Sequence, residues 1–140
     1  MEELQCALIC VDDDPNILQM LSFQLEKIIN TNVTVIEYFT NPHDALENFD
    51  ELVKYNIDVY LVIVDFQMPQ MNGAQLIRLL KEKKSDLICV MLSGQANTVQ
   101  VMDLQKDNML NAFINKPWDE YTLFETIKPF LSKNSILCEK

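Results

Sequence analysis

The chain has few glycines and few basic residues, and both shortages exclude classes of function. Only two glycines occur in 140 residues, so the chain has no Gly-rich phosphate loop of the kind that cradles nucleotides. Eleven Lys and Arg stand against twenty-one Asp and Glu, and the formal net charge of -10 repels nucleic acid and anionic membrane surfaces. We therefore expect no direct nucleic-acid partner and no membrane partner.

Long apolar runs and paired cysteines are also missing. No apolar run approaches the roughly 20 residues that span a bilayer, and the first residues, Met1 to Glu3, are acidic rather than basic. The four cysteines include no Cys-x-x-Cys pair and three of them lie in apolar segments, which favours reduced core thiols. These features predict a cytoplasmic protein.

Short apolar runs rich in Val and Ile alternate with segments of helical period, a pattern typical of a parallel sheet with connecting helices. The third and fourth runs are almost continuously apolar, as expected of strands that are covered on both faces. We predict an α/β fold, a doubly wound five-stranded parallel sheet flanked by five helices. Residues 1–131 are predicted to form one domain, with 132–140 as a C-terminal tail or the start of a linker. The predicted strands are 7–11, 33–39, 59–64, 87–92 and 112–114.

Carboxylates follow two of the predicted strands. Asp12, Asp13 and Asp14 come directly after the first strand, and Asp65 comes directly after the third. Because the carboxyl ends of parallel strands meet at one edge of the sheet, these side chains should lie close together, where like charges resist joint ionisation unless a cation compensates. An all-oxygen cluster suits Mg²⁺ or Mn²⁺. The alternative is that the aspartates after the first strand only cap the next helix, and for Asp14 the two interpretations are equally open.

A hydroxyl and an ammonium group follow the other two strands. Ser93 ends the fourth strand and Lys116 follows the fifth, so both should reach the same edge as Asp65. Taken alone, each is weak evidence, since a strand-end serine is often a turn residue and a lysine is often a surface group. The two glycines fall at the same edge: we expect Gly73 to supply a positive φ and Gly94 to leave space beside Asp65.

Four segments together carry a family resemblance. They are 12–15 (Asp-Asp-Asp-Pro), 65–73 (Asp-Phe-Gln-Met-Pro-Gln-Met-Asn-Gly), 93–94 (Ser-Gly) and 116–117 (Lys-Pro), and they occur in this order at the ends of predicted strands. The set resembles the signature of the CheY-like receiver domain of two-component response regulators. The D-x-x-M-P-x-M-x-G run is far more specific than an acidic pair, and the resemblance spans about residues 7–131. It implies a flavodoxin-like fold.

The resemblance also implies a chemistry centred on Asp65. Asp65 would be the phosphoacceptor, and Mg²⁺ or Mn²⁺ would be bound by Asp13, Asp65 and the main-chain carbonyl of Gln67. Asp12 would act mainly through an intervening water. The phosphoryl donor would be a sensor histidine kinase, a phosphotransfer protein or a small phosphodonor. No other cofactor is implied.

The remaining site residues are also assigned by resemblance. Ser93 and Lys116 would contact the phosphoryl oxygens, and Ser93 with Phe113 would form the switch pair, although Phe113 could instead be an ordinary core aromatic. Serine and phenylalanine replace the threonine and tyrosine that are common in the family, and phenylalanine has no hydroxyl contact to make. Gln67 and Gln95 would tune the lifetime of the phosphoryl group, and since amides are poor general bases we expect slow to moderate autodephosphorylation.

The function implied is a phosphorylation-activated signalling switch, with no separate enzyme activity beyond self-phosphorylation and autodephosphorylation. Its output partner would be a downstream effector protein or domain, and phosphorylation-dependent dimerisation is left open. The chain would be a single-domain regulator or a receiver excised from a longer protein. One alternative is a receiver-fold interaction module that never takes phosphate. The other is an aspartyl-phosphate phosphohydrolase, which normally has a second aspartate where this chain has Gln67.

Overall fold

The computed structural model describes residues 5–94 and 98–131, which form five strands and five helices in alternation. Each predicted strand is found within one residue of its predicted ends. The strands are β1 (Cys6–Val11), β2 (Thr34–Phe39), β3 (Asp58–Asp65), β4 (Ile88–Ser93) and β5 (Ala112–Asn115). The helices are α1 (Pro15–Leu25), α2 (Pro42–Lys54), α3 (Gly73–Lys83), α4 (Val99–Lys106) and α5 (Glu120–Leu131).

All strand pairs are parallel, in the order β2-β1-β3-β4-β5, which confirms the predicted doubly wound sheet. Alternate residues of β1 enter two separate cores. Ile9 packs in the core covered by α2, α3 and α4, and Leu8 packs in the core covered by α1 and α5. Burying a side chain of this size contributes about 1.5–3 kcal/mol, so two cores of this kind hold the sheet as a rigid platform.

The strand order decides where the functional groups meet. The chain leaves β1 toward β2 on one side and returns to β3 on the other, so β1 and β3 form the topological switch point of the sheet. Ligands in such folds bind beyond the carboxyl ends of the strands at this point. Asp12 follows β1 and Asp65 ends β3, so both lie there.

Polar side chains begin the helices that follow this edge. Asp14 is the N-cap of α1 and accepts a hydrogen bond from the backbone N–H of Asn16, with Pro15 in the first turn. The open question about Asp14 is thus answered in favour of a cap. Asn72 is the N-cap of α3 and forms a reciprocal capping box with Gln75, which fixes the start of α3 beside β3.

The prediction that Gly73 supplies a positive φ is wrong. Neither glycine has a positive φ. In the loop between β3 and α3, the residue in the left-handed conformation is Gln70, with a φ of 73°. A Cβ built on Gly73 would overlap the carbonyl oxygen of Asp65 and lie 3.0 Å from the Cα of Phe66. Glycine is therefore required because two backbone segments approach closely, and the N–H of Gly73 donates to the carbonyl of Phe66 at 2.8 Å.

In the described part of the chain, no helix combines the length and apolar character needed to cross a bilayer. Cys6, Cys10 and Cys89 are buried free thiols, as predicted for core cysteines.

Candidate functional site

Three carboxylates converge at the carboxyl edge of the sheet. Asp12, Asp13 and Asp65 each offer one carboxylate oxygen, and these oxygens all lie within 4.8 Å of one another. Asp12 and Asp65 are buried, at 1% and 5% exposure, whereas Asp13 is open to solvent. The convergence follows from the direct pairing of β1 with β3. The acidic cluster predicted from the sequence is therefore present.

Lys116 brings a positive charge to the same cluster. Its Nζ donates to Oδ2 of Asp12 at 2.8 Å and to Oδ1 of Asp65 at 2.9 Å. The other oxygen of Asp12, Oδ1, accepts from the backbone N–H of Asp14 at 2.9 Å, which orients that carboxylate. One ammonium thus compensates part of the charge of three carboxylates.

The negative charge of the cluster is only partly compensated by Lys116, so a further cation would be bound favourably. Burial raises the pKa of Asp65, since the charged form loses hydration, and repulsion from Asp12 adds to the rise against the opposing effect of Lys116. Burial likewise raises the pKa of Asp12. For Lys116, burial lowers the pKa, but the hydrogen bonds to Asp12 and Asp65 outweigh it and the net pKa is raised. The lysine is charged, and the carboxylates remain strained by burial and mutual repulsion.

Ser93 lies at the same edge. It is the last residue of β4, is 2% exposed and pairs in register with Asn115 of β5. Its carbonyl accepts a hydrogen bond from the backbone N–H of Lys116 at 3.1 Å. Residues with carboxylate, hydroxyl and ammonium side chains therefore stand at the ends of four different strands, on one edge of the sheet, as predicted.

A family model for the response regulator receiver domain matches residues 8–128. The chain belongs to this receiver-domain family of two-component signalling. The chemotaxis protein CheY homolog of Campylobacter jejuni is 27% identical over 130 residues, covering 91% of this chain and 94% of the relative. The transcriptional regulatory protein FlgR of Helicobacter pylori is 31% identical over 117 residues, covering 84% of this chain and 27% of FlgR.

Solved structures agree on the fold of the receiver. An uncharacterized protein from Neptuniibacter caesariensis superposes with a TM-score of 0.74 at 26% identity, covering 91% of this chain and 88% of that one. CheY of Borrelia burgdorferi, solved in a complex with CheX, BeF₃ and Mg²⁺, superposes with a TM-score of 0.75 at 20% identity. The superposition covers 93% of this chain and 92% of the B. burgdorferi chain. The CheY-like, flavodoxin-like fold predicted from the sequence is thereby confirmed.

A cleft opens beside the acidic cluster of the receiver. Its volume is about 340 Å³, and its wall includes Asp13, Gln67, Met68 and Asn72. Gln67 is exposed and lies two residues after Asp65, so it borders the approach to that carboxylate. The metal-binding role of its carbonyl stays a prediction. The other tuning residue, Gln95, lies outside the described residues.

Phe113 is half-buried on β5 of the receiver. It pairs in register with Met91 of β4 and packs against the core covered by α2, α3 and α4. Ser93 lies two residues after Met91, so its side chain projects to the same face of the sheet as that of Phe113. The placement is compatible with a switch pair, and the switching role stays a prediction.

Sequence reasoning missed a contact that anchors the loop after Lys116. The indole Nε1 of Trp118 donates to Oε1 of Gln24 on α1 at 2.9 Å, while the ring packs on the core beneath α1 and α5. The two residues are separated by 94 positions, and no local pattern links them.

Proposed function

We propose that this receiver is a phosphorylation-activated switch in which Asp65 accepts a phosphoryl group with the help of a divalent metal ion. The observation that carries the proposal is the convergence of Asp12, Asp13 and Asp65 around the ammonium group of Lys116. Carboxylates that are buried close to one another are costly to ionise. A site that binds a metal cation and an anionic phosphoryl group would account for that cost.

The donor set fits a hard divalent ion. The three carboxylate oxygens within 4.8 Å of one another suit Mg²⁺ or Mn²⁺, and the adjacent cleft leaves space for water ligands. Asp13, Asp65 and the main-chain carbonyl of Gln67 would hold the ion, and Asp12 would act through an intervening water. When bound, the ion supplies positive charge that offsets the charge of the incoming phosphoryl group. The Mg²⁺ in the B. burgdorferi CheY complex supports this choice of ion.

The transfer itself follows from the side chains at the edge of the sheet. A carboxylate oxygen of Asp65 attacks phosphorus in line, and the bond from phosphorus to the donor nitrogen or oxygen breaks. The ammonium of Lys116 pairs with one phosphoryl oxygen and the hydroxyl of Ser93 donates to another, so both offset charge in the transition state. Water then hydrolyses the acyl phosphate. Since Gln67 offers no strong base beside Asp65, that hydrolysis is slow to moderate.

Signalling would follow from the new charge. The phosphoryl group adds about two negative charges and draws the Ser93 hydroxyl toward it, and Phe113, on the same face, moves into the vacated space. The surface of α4, β5 and α5 would change with it. Val99 and Tyr121, both 72% exposed, give this surface apolar groups that a downstream effector or a second copy could cover.

The donor protein would dock on α1. Phe23 is 64% exposed and Met20 is 43% exposed, and Met20 also lines a cleft of about 240 Å³ with Ile17, Lys116 and Trp118. This apolar surface lies next to the lysine of the site, so a sensor histidine kinase or phosphotransfer protein that covers it would present its phosphohistidine toward Asp65. A Phe23→Ser variant should lose transfer from the cognate donor protein while keeping transfer from acetyl phosphate.

Intact-mass spectrometry after incubation with acetyl phosphate and Mg²⁺ tests the function. The parent should gain one phosphoryl mass, and Asp65→Asn should gain none. Asp14→Asn serves as the matched control, since asparagine keeps the helix cap that Asp14 provides. A parent that binds Mg²⁺ but gains no mass would instead support the phosphorylation-independent interaction module. Rapid release of many equivalents of phosphate would support the phosphohydrolase.

A further inference from the structure

Lys116 is the first residue of the short loop between β5 and α5. Its N–H donates to the carbonyl of Ser93, and β5 ends immediately before it at Asn115. Residues 116–119 then belong to neither strand nor helix until α5 begins at Glu120. A flexible lysine side chain on such a loop needs a second anchor if its ammonium is to stay between Asp12 and Asp65.

The contact between Trp118 and Gln24 provides that anchor. The indole ring is half-buried against the core beneath α1 and α5, and its N–H donates to Oε1 of Gln24 at 2.9 Å. Trp118 lies two residues after Lys116 and lines the same cleft, so the loop is held against α1 directly beside the lysine. Trp118 is also the only tryptophan in the chain.

We propose that Trp118 is a positioning residue for phosphoryl transfer, acting through its hydrogen bond to Gln24 to hold the loop that carries Lys116. The inference rests on the proposed function, because it concerns the rate at which Asp65 is phosphorylated. Neither side chain touches the phosphoryl group. Their effect is on how often the ammonium of Lys116 is in place when the donor arrives.

Two variants of Gln24 separate the hydrogen bond from packing. Gln24→Met keeps the length of the side chain and removes the acceptor, whereas Gln24→Glu keeps an acceptor oxygen. With acetyl phosphate at saturating Mg²⁺, Gln24→Met and Trp118→Phe should each slow phosphorylation roughly fivefold, the factor that corresponds to one lost hydrogen bond. Gln24→Glu should stay within about twofold of the parent, and Trp118→Phe with Gln24→Met should be no slower than either single variant.

A matched control uses a nearby polar contact that does not involve the loop carrying Lys116. Lys27 and Glu120 form an exposed ion pair at 2.7 Å, which joins the turn just after α1 to the first residue of α5. Lys27→Met removes that pair and should leave the phosphorylation rate within about twofold. If Trp118 only stabilised the packing of this region against α1, Lys27→Met and Gln24→Met would change the phosphorylation rate by similar factors.

Fluorescence of Trp118 gives an independent readout. Addition of beryllofluoride and Mg²⁺ should change the emission of the parent, because Lys116 moves from Asp65 to the phosphoryl analogue, and the change should be reduced in Gln24→Met. Equal phosphorylation rates for the parent and Gln24→Met, or an equal loss in Gln24→Glu, would overturn the positioning role and leave the proposed function intact. A parent that is not phosphorylated at all would overturn both.

Discussion

Lys116 donates a hydrogen bond to Asp65 at 2.9 Å, and so joins the loop after β5 to the end of β3 across the intervening strand β4. Adjacent strands are about 4.8 Å apart, so only a long side chain bridges this gap. The bond places a positive charge beside the carboxylate that we propose as phosphoacceptor. It also means that the lysine must exchange partners when that carboxylate is loaded.

Lys116→Met should weaken the protein and nearly abolish phosphorylation. Without the ammonium, Asp12 and Asp65 are left buried and uncompensated, which should lower the free energy of unfolding by about 1–3 kcal/mol at pH 7. Loss of the charge at the phosphoryl oxygen should slow transfer at least ~100-fold. Urea unfolding and mass spectrometry measure the two effects. Lys54→Met, at the end of α2 and the opposite edge of the sheet, is the control and should change neither.

Asp65→Asn should stabilise the metal-free protein, and more so at higher pH. Burial raises the pKa of Asp65 above its ordinary value of 3.8, so the folded state binds this proton more tightly than the unfolded state does. Stability from that proton is present below pH 3.8 and is lost as the pH rises through the raised pKa. The difference in melting temperature between Asp65→Asn and the parent should therefore grow from pH 4 to pH 7. A difference in melting temperature that stays constant from pH 4 to pH 7 would contradict a raised pKa for Asp65.

Mg²⁺ should stabilise the parent through Asp13 and not through its neighbour Asp14. A ligand at 100 times its dissociation constant adds about 2.7 kcal/mol to the free energy of unfolding. The melting temperature of Asp14→Asn should respond to Mg²⁺ as the parent does, because Asp14 is the cap of α1. That of Asp13→Asn should respond much less. Equal responses of Asp13→Asn and Asp14→Asn to Mg²⁺ would show that Asp13 is not a metal ligand.

The two glycines should differ sharply in their tolerance of alanine. Gly73→Ala forces a Cβ onto the carbonyl of Asp65 and should cost about 2–4 kcal/mol. Gly94→Ala meets no atom within 4 Å and should change the stability by less than about 0.5 kcal/mol. Thermal or urea unfolding of the two variants checks this, and a Gly94→Ala variant that is destabilised as strongly as Gly73→Ala would contradict the expected difference.

The elements and the edge at which the site forms could be predicted from the sequence, since strand periodicity and parallel connections determine where Asp65 and Lys116 point. Details that depend on approach distances could not. A glycine in a loop is compatible with a positive φ or with close backbone contact, and only the structure shows that Gly73 faces Asp65. The partnership of Trp118 with Gln24 depends on how α1 packs against α5, and no local pattern encodes it.

Chemical localisation of the phosphoryl group tests the central claim most directly. Borohydride reduces an aspartyl phosphate to homoserine, so the parent can be treated with acetyl phosphate and Mg²⁺, reduced, digested and mapped by tandem mass spectrometry. Homoserine at position 65, and its loss when the metal is chelated, is the predicted result. Homoserine at position 12 or 13, or unmodified aspartate at all three positions, would contradict the assignment of Asp65 as the acceptor.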